Sequence, residues 1–143
     1  AARSRLASVG DSLGFSFNFY EGQRIYNTFL AHQLLKWAEQ EGKQSELELA
    51  LFESYFSRQE NVGDEATLAQ VAGRVGLDEA EAAALLDDGR FAREVREHQR
   101  FWLSKGIQAV PSFVLDGRFL IPGAQNPEVF VAAIEKLTAG EAA

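Results

Sequence analysis

Cysteine is absent from the 143 residues, and methionine with it. Without cysteine, this stretch of chain holds no disulfide, no thiolate metal site and no thiol nucleophile. The lack of methionine, uncommon at this length, points to a processed chain or a piece of a longer one. Proline is scarce, with three residues, so each one carries positional meaning. The two histidines, His32 and His98, are too few for a zinc site without carboxylate help. Lysine and arginine number 14 against 21 acidic residues, a net charge of −7. That balance argues against nucleic acid or an anionic membrane surface as a partner. No run reaches the roughly 18 apolar residues needed to span a bilayer. Residues 1–10 carry Arg3 and Arg5 but lack the apolar centre of a secretory signal.

What is present is enough for one ordinary domain: 46% apolar residues, with eleven Phe, three Tyr and two Trp as large core side chains. Leu6, Val9 and Leu13 predict a weak helix over 3–13, stopped by Gly14. Phe15-Ser16-Phe17-Asn18-Phe19 alternates as a short strand does. Asn27 is expected to cap a helix running to about Glu41, with Leu30, Ala31, Leu34, Leu35, Trp37 and Ala38 as a broad stripe. Ser45-Glu46-Leu47-Glu48 has the form of a capping box opening a helix to about Arg58. Asp64 and Asp78 cap two further helices, ending at Gly76 and near Leu86. Another runs from about Gly89 to Lys105, with Phe91, Val95, His98 and Trp102 at helical spacing, so His98 is expected to pack at the core or its boundary. Asn126-Pro127 opens a last helix, proline being pre-organised for the first helical position. Its inward residues are Val129, Phe130, Ala133, Ile134 and Leu137, and Gly140 ends it.

Between these last two helices, Val110-Pro111 precedes a β-hairpin over 112–121 built on a two-residue Asp116-Gly117 turn. Proline has no N–H for a sheet, so at a strand's start it marks an edge, a bulge or a loop. An X-Pro bond is also the one place where a cis peptide costs only about 0.5–1 kcal/mol. The hairpin is apolar on both faces (Phe113, Val114, Leu115; Phe119, Leu120, Ile121), as strands buried on both sides are. One terminal helix covers one face, so the sheet looks incomplete.

Taken together, these residues resemble the DsbA family of thioredoxin-fold oxidoreductases, and within it the FrnE-like branch of bacterial enzymes. The similarity lies in Gly14-Phe15-Ser16-Phe17-Asn18-Phe19, Tyr26-Asn27-Thr28-Phe29-Leu30-Ala31-His32, Asn61-Val62-Gly63-Asp64 with Leu68 and Gly76-Leu77-Asp78, Val110-Pro111-Ser112-Phe113, Asp116-Gly117, Gly123-Ala124-Gln125 and Pro127-Glu128. Each piece is a weak signal; the order and spacing of all of them are strong. The resemblance implies an α/β, thioredoxin-like fold of the DsbA type with an α-helical insertion. It implies a connecting segment over 1–26, the insertion over 27–105 and the C-terminal ββα half over 106–139. The N-terminal βαβ half and its Cys-x-x-Cys pair are expected upstream of Ala1, which leaves no catalytic residue in this chain. Val110 and Pro111 become the cis-proline loop, whose backbone at Val110 receives an extended substrate by strand addition. Asn27, His32 and Gln125 fall at the periphery of the redox site. On the residues alone, Asn27 is also a simple helix cap, and Gly123-Ala124-Gln125 a turn delivering Asn126 to the last helix.

The activity implied is thiol–disulfide exchange on protein dithiols or small thiols, without metal or organic cofactor, in the bacterial cytoplasm. The chain by itself should be inert in that exchange. Unpaired strand edges also suggest self-association, as a homodimer through the strand edge or the helical domain. Two rivals share the fold. Kappa-class glutathione transferases and 2-hydroxychromene-2-carboxylate isomerases are similar in the Val-Pro loop and the insertion, but use a serine and bind glutathione. The Gly123-Ala124-Gln125 stretch fits the FrnE-like branch better. The third reading is a redox-inactive binding module that docks partners on the Val110 edge and the helical domain.

Overall fold

A computed structural model describes residues 2–140. The elements run in the order α1 (Ala2–Ser12), α2 (Phe29–Gln40), α3 (Gln44–Phe52), a π turn (Glu53–Ser57), α4 (Glu65–Arg74), α5 (Glu79–Asp88), α6 (Ala92–Ser104), β1 (Ser112–Leu115), β2 (Phe119–Pro122) and α7 (Pro127–Thr138). The architecture is helix-rich, and among the described residues the sheet is a single two-stranded antiparallel hairpin. The chain divides into two compact units, one ending at His98 and the other beginning at Gln99. Among the described residues, no helix is long and apolar enough to cross a membrane.

The first unit owes its core to α2–α5. Ala31, Leu34, Trp37 and Ala38 on α2 join Leu47 and Leu51, Leu68, Val71 and Ala72, and Ala82, Leu85 and Leu86 in one buried cluster. Several of these positions recur at the three- and four-residue spacing that puts them on one helix face. Asp64 and Asp78 cap as expected: Thr67 N–H donates to Asp64 (2.9 Å) and Glu81 N–H to Asp78 (2.8 Å). Gly89, in the left-handed region at φ 63°, ends α5 two residues later than the sequence suggested. Gln33 is buried at 2% exposure, and its Oε1 lacks a protein partner among the described residues.

Four local expectations need correction. The 15–19 segment is extended, with Phe15, Phe17 and Phe19 half-buried on one side, but it is not a strand. Apart from Phe15 N–H, which donates back to Gly10 C=O (2.9 Å), its hydrogen bonds go to the π turn and the residues just after it: Asn18 N–H donates to Phe56 C=O (2.8 Å), Ser57 Oγ to Ser16 C=O (2.7 Å) and Gln59 Nε2 to Asn18 C=O (3.0 Å). Alternation records which side is covered, and aromatic rings rather than a neighbouring strand do the covering: Phe17 stacks on Phe19 and meets Phe56 edge-on. Ser45 is not a cap, since α3 begins at Gln44 behind Lys43, whose Nζ pairs with Glu46 at 2.9 Å. The helix expected from Gly89 begins only at Ala92, and His98 is exposed rather than packed: of the residues of α6, Val95 alone is buried. On α7, Phe130, Ala133 and Leu137 are half-buried but Val129 and Ile134 face solvent, because a two-stranded hairpin is too narrow to cover the whole stripe.

The π turn is held from outside. Arg74 on α4 forks onto both carboxylate oxygens of Glu60 (2.8 and 2.7 Å) and also donates to the buried Ser54 hydroxyl (3.2 Å). Glu60 N–H returns to the Ser54 carbonyl at 2.8 Å. The hydrogen bond from Arg74 lowers the Glu60 carboxyl below its ordinary pKa of 4.5. A carboxylate whose pKa is depressed by folding adds stability above its unfolded pKa and loses it as pH falls through the folded one. The stability gap between the wild type and Glu60→Gln should therefore be open at pH 7, begin to narrow near the ordinary pKa of 4.5, where the unfolded chain takes up the proton, and close as pH falls through the lower folded value. Urea melts of both proteins from pH 7 to pH 3 check it; a gap independent of pH would count against the pair.

Candidate functional site

The loop from Gly106 to Ser112 is set by two backbone features. Gly106 turns out of α6 at φ 83°, a conformation with almost no cost for a residue lacking Cβ. The Val110–Pro111 peptide is cis. Beyond it the hairpin pairs Ser112 with Pro122, Phe113 with Ile121, Val114 with Leu120 and Leu115 with Phe119. Asp116 and Gly117 both have positive φ (51° and 65°), the backbone of a primed turn, and Arg118 N–H closes it onto Leu115 C=O at 3.1 Å. The loop is one residue longer than the sequence reading had it, because Arg118 lies outside the ladder. The Phe113 ring meets Phe130 of α7 edge-on at 4.9 Å, so the helix covers that face of the sheet. Leu120 on the opposite face is 43% exposed, and among the described residues no third strand adjoins either edge.

Val110 stands 91% exposed at the head of this hairpin. Its neighbours are tied down on both sides. Ser112 Oγ donates to Ala109 C=O at 2.7 Å, and Gly123 N–H donates to Pro111 C=O at 2.8 Å. Gln125 Nε2 donates to Pro122 C=O at 2.8 Å, folding the β2–α7 connection around Gly123. Gln125 therefore does more than deliver Asn126 to the helix; the Asn126 side chain makes no cap bond, and Pro127 opens α7. Val110, Pro111 and Gln125 thus share one tied loop pair in the second unit.

Asn27 and His32 belong to the first unit. Asn27 Oδ1 accepts from Phe29 N–H at 2.9 Å, but α2 begins at Phe29 with Thr28 at the cap position, so the expected cap at Asn27 is corrected: Asn27 stands one residue before it and turns the chain into the helix. Its carbonyl is closely approached by Gly63, where a Cβ would lie 3.0 Å from the Asn27 oxygen. His32 is exposed on the first turn of α2. Among the described residues, no group of three or more His, Asp or Glu side chains is arranged to hold a metal ion. The sequence reading missed Ser112 and Gly123 as ties of the Val110 loop. The Gly123 signal was available in principle, as a glycine following a strand and preceding a helix.

The chain is similar to known proteins along almost its whole length. A family model described as the DSBA-like thioredoxin domain matches residues 2–135. The uncharacterized protein YwbO of Bacillus subtilis (strain 168) is 29% identical over 133 residues, covering 92% of this chain and 66% of YwbO. The crystal structure of a probable DsbA oxidoreductase from Streptomyces coelicolor superposes with a TM-score of 0.89 at 30% identity, covering 99% of this chain and 61% of that one. The chain thus spans a little under two thirds of the length of these relatives. With the family model matching from α1 into α7, the chain belongs to the DSBA-like thioredoxin domain family.

Proposed function

We propose that this chain is the substrate-docking part of a DsbA-type thiol–disulfide oxidoreductase of the FrnE-like kind, acting on protein dithiols or small thiols. The observation that carries the proposal is the exposure of Val110 at the head of an edge hairpin, in a chain that matches a probable DsbA oxidoreductase along 99% of its length. Disulfide exchange requires a thiolate attacking a disulfide sulfur. The 143 residues supply none, so in this reading the Cys-x-x-Cys pair belongs to polypeptide outside them. What the chain contributes is a backbone donor and acceptor at Val110 for an extended segment, the mode of strand addition. Gly123-Ala124-Gln125 supports the FrnE-like assignment. Bacterial origin and a cytoplasmic location are part of the same proposal and rest on the resemblance. Asn27 and His32 are assigned to the periphery of the redox site on the same basis.

A second reading, a redox-inactive module that binds partners at the Val110 edge, is favoured by the absence of cysteine. The two separate on the polypeptide made in its own host, by intact mass, upstream coding sequence and an insulin reduction assay. Upstream Cys-x-x-Cys with dithiothreitol-driven turbidity supports the oxidoreductase. A serine in that position points to the glutathione-binding relatives, and neither residue leaves the binding module. The 143-residue chain alone should give only the uncatalysed rate; reduction above that rate would overturn the assignment of the cysteines.

A further inference from the structure

We propose that Gln125 is a positioning residue which, with Gly123 and Ser112, restricts the outward edge of the cis-proline loop to the single residue Val110. The inference rests on the reading of Val110 as a docking edge. Three residues, Ala109, Val110 and Pro111, could present hydrogen-bonding groups to a docked segment. The Ala109 carbonyl is engaged by Ser112 Oγ (2.7 Å) and the Pro111 carbonyl by Gly123 N–H (2.8 Å). Pro111 has no N–H. Among the described residues, the Val110 N–H and C=O take no partner, and the residue is 91% exposed. Val110 is therefore the one residue of the three whose donor and acceptor are both without a partner among the described residues.

The tie on Pro111 depends on the direction of the Gly123 N–H. Gly123 adopts φ 78°, which a residue with a Cβ resists. The turn that holds it there is closed by Gln125 Nε2 on Pro122 C=O at 2.8 Å. Pro122 pairs with Ser112 in the first rung of the ladder, so this bond joins the exit of β2 to the exit of the loop. One residue's pair of hydrogen bonds fixes the register of a docked segment but rewards no further strand length.

Titrating the 15N-labelled chain with reduced, alkylated insulin B chain tests this, beside Gln125→Ala and the near-isosteric Gln125→Glu, which removes the donor. In the wild type, shifts should centre on Val110. In both variants the Gly123 amide should exchange about tenfold faster and the peptide bind about five- to tenfold more weakly, the scale of one net hydrogen bond. The Val114 and Leu120 amides should stay in place, showing an intact hairpin. Unchanged Gly123 exchange and peptide affinity within twofold in both variants overturn the role of Gln125. No peptide binding by the wild type overturns the docking edge instead, and Gly123 exchange still decides whether Gln125 sets the loop.

Discussion

Leu34→Ala should cost about 3–4 kcal/mol and lower the melting temperature by roughly 10 °C. Leu34 is fully buried at 0% exposure, and it belongs to the cluster that joins α2 to α3, α4 and α5. Truncation removes the transfer free energy of three carbons and leaves a cavity. Interiors packed to crystal-like density relax only in part into such a cavity. The neighbours in the cluster include Ala31, Ala38, Ala69, Ala72 and Ala82. Helices meeting over alanines already approach closely and have short side chains with which to refill a hole. That places the cost toward the upper part of the range for Leu→Ala. Leu34→Met, which conserves volume, should cost less than about 1.5 kcal/mol. Chemical denaturation of both variants checks the pair, and equal losses would mean that chain entropy rather than cavity formation sets the cost.

The helices of this core were legible because capping side chains and apolar spacing agree. Asp64 and Asp78 each precede an apolar-periodic run, and each makes its cap bond. Where the two signals diverged, boundaries moved. Ser45 had the letters of a capping box, but the glycine at 42 brings the chain into α3 two residues sooner, and the Lys43–Glu46 pair stands at that end instead. The 15–19 segment misled for a different reason. Period-two alternation reports one covered side, and the Phe56 ring, against which Phe15, Phe17 and Phe19 all pack, covers it in place of a sheet. The π turn that presents Phe56 carries no residue type that marks it, since Leu51, Phe52, Tyr55 and Phe56 keep the spacing of an ordinary helix face.

At the site, the Val110-Pro111 loop and the Asp116-Gly117 turn could be read directly, since proline and an Asp-Gly pair constrain the backbone through their own chemistry. The ties on the loop could not. Ser112 Oγ and Gly123 N–H act on carbonyls of Ala109 and Pro111, and a carbonyl exists at every residue. No sequence signal marks which one is taken. Gln125 drew attention through resemblance; its bond to Pro122 gives that residue a physical task.

Gly10→Ala is expected to release the 15–19 segment, although alanine is the better helix former by about 0.5–1 kcal/mol. Gly10 lies in α1 and is its one buried residue. A Cβ there would stand 2.5 Å from the Phe15 carbonyl oxygen and 2.6 Å from the Phe17 ring. Neither can move cheaply. Phe15 N–H is bonded to the Gly10 carbonyl at 2.9 Å, and Phe17 is wedged among Phe15, Phe19 and Phe56. Overpacking against backbone and interlocked rings costs about 1–3 kcal/mol and outweighs the gain in helix propensity. The contrast is Gly73 in α4. A Cβ there would meet the Glu79 carboxylate at 2.1 Å, but Glu79 is the end of a flexible exposed side chain and can swing clear. Gly73→Ala should therefore be neutral or stabilising by up to about 1 kcal/mol. In hydrogen exchange, Gly10→Ala should strip protection from the Asn18 amide, which is bonded to Phe56 C=O at 2.8 Å, while Gly73→Ala leaves it unchanged. Equal protection of Asn18 in both variants would mean that α1 and the aromatic segment yield to the added methyl, and that the close approach at Gly10 is not what binds them together.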